Sequence, residues 1–218
     1  MTANKLGVLD YGDNYGYPFN KLFDGVCPVS RPKDITSDIQ ALVFWGGTDI
    51  HSGFYNQRPS RWNQAHRAQP SVRDSVEWTL MKLAIDRKIP IIGVCRGAQM
   101  LCAKAGGSLV QHANNHVGVG GHDLITNDVE GLWGNSCHHQ IMILPEEGTE
   151  LLAWTEGLSD TYIGEDDKPI TLKGNVEPEI VIFNKLNNSI GIQGHPEWMG
   201  SDTKFVSYCL DLIKDRVL

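Results

Sequence analysis

The stretch Lys88-Ile89-Pro90-Ile91-Ile92-Gly93-Val94-Cys95-Arg96-Gly97-Ala98-Gln99-Met100-Leu101-Cys102-Ala103-Lys104-Ala105-Gly106-Gly107 decides how the chain is read. Ile89 to Val94 is a short β-branched run with a proline near its start, the pattern of a buried strand. A helix-forming run, Ala98 to Ala105, follows almost at once, and Gly106-Gly107 supplies its C-terminus. A strand that becomes a helix over one residue strains the residue at the apex and crowds its flanks, so both flanks must be small. Gly93-x-Cys95-x-Gly97 has the spacing of a nucleophile elbow, with sulfur in place of a serine hydroxyl. A thiol there lies at a helix N-terminus, where the dipole and free N–H groups favour thiolate.

The rest of the chain bounds this reading. At 218 residues it has room for one large α/β domain or two small ones. It shows no internal repeat, low-complexity run or linker, and a single domain over residues 1–218 is expected. The net charge of −7 argues against a general nucleic-acid or anionic-membrane surface. No apolar run is long enough for a transmembrane helix. Met1 to Lys5 leads into a strand and lacks the apolar middle of a signal peptide. The five cysteines, Cys27, Cys95, Cys102, Cys137 and Cys209, are odd in number and contain no C-x-x-C. That pattern suits free thiols in a reducing, cytoplasmic setting.

In chain order, Lys5 to Asp10 reads as a first strand ending in a Tyr-Gly-Asp-Asn loop, and Pro18 to Phe23 as a short helix. Ile39 to Trp45 is a buried strand stopped by Gly46-Gly47. Ile50 to Pro70, with His51, Tyr55, Arg58, Arg61, Trp62 and His66, reads as an irregular surface loop. Ser71 caps a helix with Asp74 three residues on, and Val76, Leu80, Leu83 and Ala84 mark its buried stripe. Strands alternating with helices predict a three-layer α/β sandwich with a mostly parallel central sheet, as in flavodoxin-like folds. Ligands of such sheets bind at the C-terminal strand ends, where Gly46-Gly47 and Cys95 both lie.

Leu109 to Asp128 is weak in periodicity. Ile141 to Pro145, Leu151 to Trp154 and Glu179 to Phe183 read as strands of a small antiparallel region. The acidic, turn-rich segment Glu156 to Glu179 reads as a solvated excursion between them. Ile190 to Gln193 returns as a strand ending at Gly194-His195-Pro196-Glu197. Ser201 or Asp202 is expected to cap a last helix that presents Phe205, Cys209, Leu212, Ile213 and Arg216 on one side.

His195-Pro196-Glu197 is the second cluster with chemistry in it. Proline biases the residue before it to extended geometry, where residues two apart point the same way. A carboxylate beside an imidazole sets its tautomer and stabilises the imidazolium that a thiolate nucleophile needs. On its own, the tripeptide reads more readily as an exposed strand-end turn.

Together these residues carry a family likeness. Gly93-Val94-Cys95-Arg96-Gly97-Ala98-Gln99, followed about a hundred residues later by Gln193-Gly194-His195-Pro196-Glu197, resembles the class I glutamine amidotransferase superfamily. The likeness narrows to the γ-glutamyl hydrolase (peptidase C26) branch, which includes γ-glutamyl-γ-aminobutyrate hydrolase. Gly46-Gly47-Thr48-Asp49-Ile50 with Tyr55 and Arg58-Pro59, Arg73-Asp74 with Glu77, and Asn135-Ser136-Cys137-His138-His139-Gln140 carry it.

The resemblance implies that Cys95 is the nucleophile, His195 the acid/base and Glu197 its orienting partner. It implies an oxyanion hole of backbone N–H groups at Gly47 and Arg96. The substrate pocket it implies is lined by Gly46, Gln99, Ser136, His138 and His139. The implied reaction is attack on a γ-glutamyl amide, a glutamyl thioester, and release by water. The implied partner is a small γ-glutamyl substrate or glutamine, with no nucleic acid and no membrane. A glutaminase subunit that hands ammonia to a separate synthetase chain is the alternative.

Other cysteines and histidines have plainer readings. Cys102, Cys27 and Cys209 read as inert packing, and Cys137 as a residue pointing away from the pocket. His112 and His116, four apart, with His122, His138 and His139 further on, raise a metallohydrolase as a rival. Asn114, Asn115 and Gly118-Val119-Gly120-Gly121 argue against a regular helix there, and no Glu lies between the histidines. No metal and no cofactor are expected. A non-catalytic member of the family would be expected to lose one of Cys95, His195 and Glu197. The chain departs from the family's pattern at Gly194, where an aromatic is usual, and in a shortened segment after Glu156.

Overall fold

The computed structural model of the chain describes residues 4–9, 15–65, 68–117 and 120–218. His66, Asp10 at the end of the expected first strand, the expected Tyr11 to Asn14 loop and Gly118-Val119 lie outside them.

In chain order the strands and helices are β1 (Lys5–Leu9), β2 (Gly25–Val29), β3 (Ile39–Phe44), α1 (Val72–Asp86), β4 (Ile91–Val94) and α2 (Arg96–Lys104). There follow β5 (Ser108–Val110), β6 (His112–Ala113), β7 (Gly121–Thr126), β8 (Leu132–Asn135), β9 (Ile141–Ile143) and β10 (Thr149–Glu156). The chain closes with β11 (Tyr162–Ile163), β12 (Val176–Phe183), β13 (Ser189–Ile192) and α3 (Lys204–Arg216).

Nine strands form one sheet in the order β2-β1-β3-β4-β13-β12-β10-β7-β8. The first five are parallel neighbours. The last four continue the sheet antiparallel, so the antiparallel part is nearly as large as the parallel one. β6 with β11 and β5 with β9 make two small antiparallel pairs.

Both faces of the sheet are covered. Side chains alternate along a strand, so β3 sends Leu42 and Phe44 to one side and Ala41 and Val43 to the other. The first pair packs with Leu80, Met81 and Ala84 of α1 and with Ala98, Leu101 and Cys102 of α2. The second packs with Phe205, Cys209 and Ile213 of α3. Burial on two faces is why β3, β4 and β13 read as continuous apolar runs.

Ser71 does cap α1 as expected, with a full box: Ser71 Oγ accepts from Asp74 N at 3.0 Å, and Asp74 Oδ2 from Ser71 N at 3.0 Å. Several other expectations are corrected in detail. The buried stripe of α1 includes Asp74 and Glu77, while Val76 and Leu83 are half-buried. Thr203, not Ser201 or Asp202, caps α3. Arg216 is exposed and pairs with Glu150, while Val206 and Tyr208 join the buried face.

The segment after Glu156 is acidic and exposed only in part. Asp166 and Glu165 pair with Arg58 and Asp167 with Arg61, tying it to the loop before α1. Glu177 and Glu179, at its end, are buried on β12. β2 escaped the sequence reading because an edge strand tolerates Pro28, and β5 to β7 because they are short and weakly patterned. No helix among the described residues is long and apolar enough to cross a membrane.

Candidate active site

The elbow forms between β4 and α2. Cys95 is buried with φ 50° and ψ −105°, a conformation that costs a non-glycine residue about 1–3 kcal/mol. Its N–H donates to Ile192 O of β13 at 2.7 Å, and its carbonyl accepts from Gln99 N at 3.1 Å. A Cβ on Gly93 would meet the Gly97 carbonyl carbon at 2.6 Å, and one on Gly97 would meet Phe44 O at 2.2 Å. Both glycines are therefore dictated by close backbone packing around the turn.

Burial pushes the Cys95 thiol up to about 12, against the opposing pull of the Arg96 backbone N–H and with Glu197, Cys137 and Asp49 adding to the rise. That rise favours the neutral thiol, so a base is needed to ionise it. His195 follows β13 in a single turn, Pro196–Trp198. Its Nδ1 lies 2.7 Å from Glu197 Oε1. A carboxylate accepts, so Nδ1 carries the proton and Nε2 is the basic nitrogen. A Cβ on Gly46 would lie 2.7 Å from His195 Cε1 and 3.4 Å from Cys95 Cβ. Both residues therefore border the space that Gly46 leaves open, and a side chain there would collide with the imidazole.

Two residues that sequence reasoning missed position His195. Asn135 brackets its backbone, donating to His195 O and accepting from His195 N, each at 2.8 Å. Trp198 stacks on the imidazole, ring centroids 3.7 Å apart and planes 1° from parallel. The Trp after Pro196-Glu197 was a readable signal; Asn135 lies 60 residues away and was not.

The Arg96 side chain leaves the pocket. It is buried between Asp74, 2.6 Å away, and Glu77. Arg73 shares Glu77 at 2.8 Å and donates to Gly46 O at 2.9 Å. Gly47 has φ +145°, and a Cβ there would lie 2.3 Å from Arg73 Nη1. The Arg73, Asp74 and Glu77 motif therefore fixes both the elbow and the Gly46-Gly47 turn.

A cavity of about 260 Å³ opens beside Cys95, lined among others by Gly47, Asp49, Gln99, Cys137, His138 and His139. Gln99 Nε2 is 3.4 Å from both Gln140 O and Gln193 Oε1. His139 Nε2 lies 3.0 Å from Asp49 Oδ1, and its other nitrogen 3.3 Å from His112, which stacks on Trp62. Ser136 is not on this wall: its hydroxyl donates to His116 O at 2.9 Å. Cys137 does not point away; it is exposed and lines the cavity. Cys102 and Cys209 are buried as expected, and Cys27 is half-buried. A larger cavity of about 730 Å³, with Gln40, Lys88 and Pro90 on its wall, has no cysteine or histidine in its lining.

Gly194 has a local explanation. A Cβ there would lie 2.9 Å from Asn135 O and 3.1 Å from Phe205 Cζ, so Phe205 of α3 occupies the space an aromatic would need.

The family model for Peptidase C26 matches residues 26–146. A putative glutamine amidotransferase of Schizosaccharomyces pombe is 32% identical over 96 residues, 42% of this chain and 37% of that protein's length. The chain thus spans well under half of that relative. A γ-glutamyl-CDP-amidate hydrolase of Campylobacter jejuni is 28% identical over 192 residues, 85% of each chain. Among solved structures, a glutamine amidotransferase of Thermotoga maritima superposes with a TM-score of 0.58 at 15% identity, covering 99% of this chain and 84% of the other. That likeness bears on the fold, an α/β sandwich of the class I glutamine amidotransferase type. With a model that matches more than half of it, the chain belongs to the Peptidase C26 family, among the glutamine amidotransferase-like proteins.

Proposed function

We propose that the chain hydrolyses a γ-glutamyl amide bond with Cys95 as nucleophile, His195 as acid/base and Glu197 as its orienting partner. The observation that carries this reading is that a Cβ at Gly46 would meet both His195 and Cys95, so the two border one space, while Glu197 holds His195 Nδ1 at 2.7 Å. In the first half-reaction His195 Nε2 takes the Cys95 proton and the sulfur attacks the γ-carbonyl. The tetrahedral oxyanion is held by the backbone N–H groups of Gly47 and Arg96. Collapse expels the amine, protonated by His195, and leaves a glutamyl thioester. In the second half-reaction the same imidazole activates water, glutamate leaves, and the thiol is restored.

Gln99, His138 and His139 line the cavity where the glutamyl group would lie, and Gly46 lies next to Cys95. All these groups stand at one end of one sheet, which supports reading residues 1–218 as a single domain. Five free thiols favour a reducing, cytoplasmic location.

The test is turnover of γ-glutamyl amines, γ-glutamyl peptides and glutamine by the isolated chain, with acid-quench mass spectrometry for a glutamyl adduct on Cys95. Turnover of a γ-glutamyl amide with that adduct is expected. Hydrolysis of glutamine alone, and only with a synthetase present, would replace this reading with that of an ammonia-donating glutaminase.

A further inference from the structure

On the side of His138 away from Gly47, three imidazoles and a carboxylate converge. His116 follows β6, His122 lies on β7, His138 precedes β9 and Glu179 sits on β12. One donor atom from each lies within 4.8 Å of the others. His116, His138 and Glu179 are buried, and the His122 side chain is 8% exposed. Of the five histidines that the sequence offers as metal ligands, His116, His122 and His138 meet here, whereas His112 turns to Trp62 and His139.

Each of these imidazoles spends one ring nitrogen on an acceptor outside the cluster. His116 Nε2 is 2.8 Å from Glu177 Oε2, His138 Nδ1 is 3.0 Å from Gln140 O, and His122 Nδ1 is 3.3 Å from Asp123 O. In a neutral imidazole, an acceptor-only partner puts the N–H on those nitrogens and leaves lone pairs on the opposite ones. Ser136 Oγ is 3.3 Å from His116 Nδ1, but its hydroxyl proton goes to His116 O, so this nitrogen too keeps its lone pair.

The lone pairs face Glu179. Its Oε1 lies 3.3 Å from His122 Nε2 and 3.6 Å from His138 Nε2. Close as they are, neither approach has hydrogen-bond geometry, and all three atoms are buried without a hydrogen-bond partner among the described residues. Buried acceptors turned towards one another repel unless something positive lies between them.

We propose that His116 Nδ1, His122 Nε2, His138 Nε2 and Glu179 Oε1 hold one divalent transition-metal ion, with zinc the best match to the donors. Three neutral imidazoles and one carboxylate are a zinc-type set, and each histidine is fixed from behind by an acceptor, as metal-bound histidines are. The present spread closes by roughly 1 Å to reach zinc–ligand bonds of about 2.0–2.2 Å. Four protein ligands leave no open position, so the ion is structural. It joins the turn after β6, the β7 strand and β12 to the His138 wall of the cavity, and Cys95 chemistry needs nothing from it.

The full chain, stripped with a chelator and dialysed, is titrated with Co²⁺. One equivalent per chain is expected, with the visible bands of four-coordinate cobalt, displaced by one equivalent of Zn²⁺. Zinc at 100-fold excess over its Kd should raise the melting temperature by about 5 °C or more. His122→Ala and Glu179→Gln should lose the cobalt bands and the melting shift, while His112→Ala keeps both. The wild-type titration is independent of whether a variant folds. Failure of the wild type to take up either ion stoichiometrically overturns the site and leaves a hydrogen-bonded histidine cluster. Equal uptake by folded His122→Ala and Glu179→Gln also overturns it. Neither outcome depends on whether γ-glutamyl amides are hydrolysed.

Discussion

The guanidinium of Arg96 lies against the carboxylate of Glu77 beneath the elbow, and neither side chain reaches solvent. Asp74 closes the other side of the same guanidinium, so α1 and α2 are joined by a buried ionic cluster directly below the residue that follows Cys95.

Truncating one member leaves a buried charge without its partner, which costs about 3–5 kcal/mol. Arg96→Met should lower unfolding stability by that amount in urea titrations. Adding Asp74→Asn to it should cost much less than the sum of the two singles, because Asp74 loses its cation with Arg96 while Glu77 keeps Arg73 at 2.8 Å. A single Arg96→Met variant within about 1 kcal/mol of wild type would contradict the cluster's role.

Glu197 holds the His195 proton on Nδ1, so Glu197→Gln should leave the fold intact and allow the wrong tautomer. A loss of about 10²- to 10⁴-fold in kcat is expected, with KM little changed. Trp198→Ala removes only the stacked face of the ring, and a smaller loss in kcat is expected. Steady-state kinetics beside circular dichroism separates the two, and a fully active Glu197→Gln enzyme would remove Glu197 from the proposed mechanism.

The parallel half of the fold was legible because β3, β4 and β13 are covered on both faces and must be apolar throughout. The elbow was legible for a similar reason, since backbone contacts at Gly93 and Gly97 exclude every side chain. The histidine cluster was not. His116, His122, His138 and Glu179 come from four separate segments, two on strands of the antiparallel half and two beside the small β6 and β9 strands, and only the fold brings them together. Local pattern offers the histidines as candidates but gives no sign that Glu179 joins them or that His112 and His139 do not. Asn135 and His195 show the same limit, a pairing made by β8 lying near the end of β13.

Gly194 tests the fit of α3 against the site. Restoring the aromatic usual in the family, Gly194→Phe, should push Phe205 and Asn135 aside at a cost of about 1–3 kcal/mol. Because Asn135 brackets the His195 backbone, kcat should fall as well. Adding Phe205→Ala should open the space and recover part of both losses. If Gly194→Phe alone is as stable and active as wild type, α3 is not what excludes the side chain.

The raised Cys95 pKa gives a pH dependence with a definite sign. Burial favours the neutral thiol, so the folded value of about 12 lies above the ordinary 9.0, and the thiolate fraction at pH 7 is very small. Alkylation by iodoacetamide needs thiolate. In the substrate-free protein the exposed Cys137 should therefore be modified first near neutrality. Modification of Cys95 should rise about tenfold per pH unit above about pH 8, provided the fold holds. The same shift favours the folded state below pH 9 and withdraws that contribution as the pH climbs towards 12. Peptide mapping after timed alkylation at several pH values reads both sites. Should Cys95 react as fast as Cys137 at pH 7, the thiol has already passed its proton to His195 in the resting enzyme, and proton transfer does not await substrate.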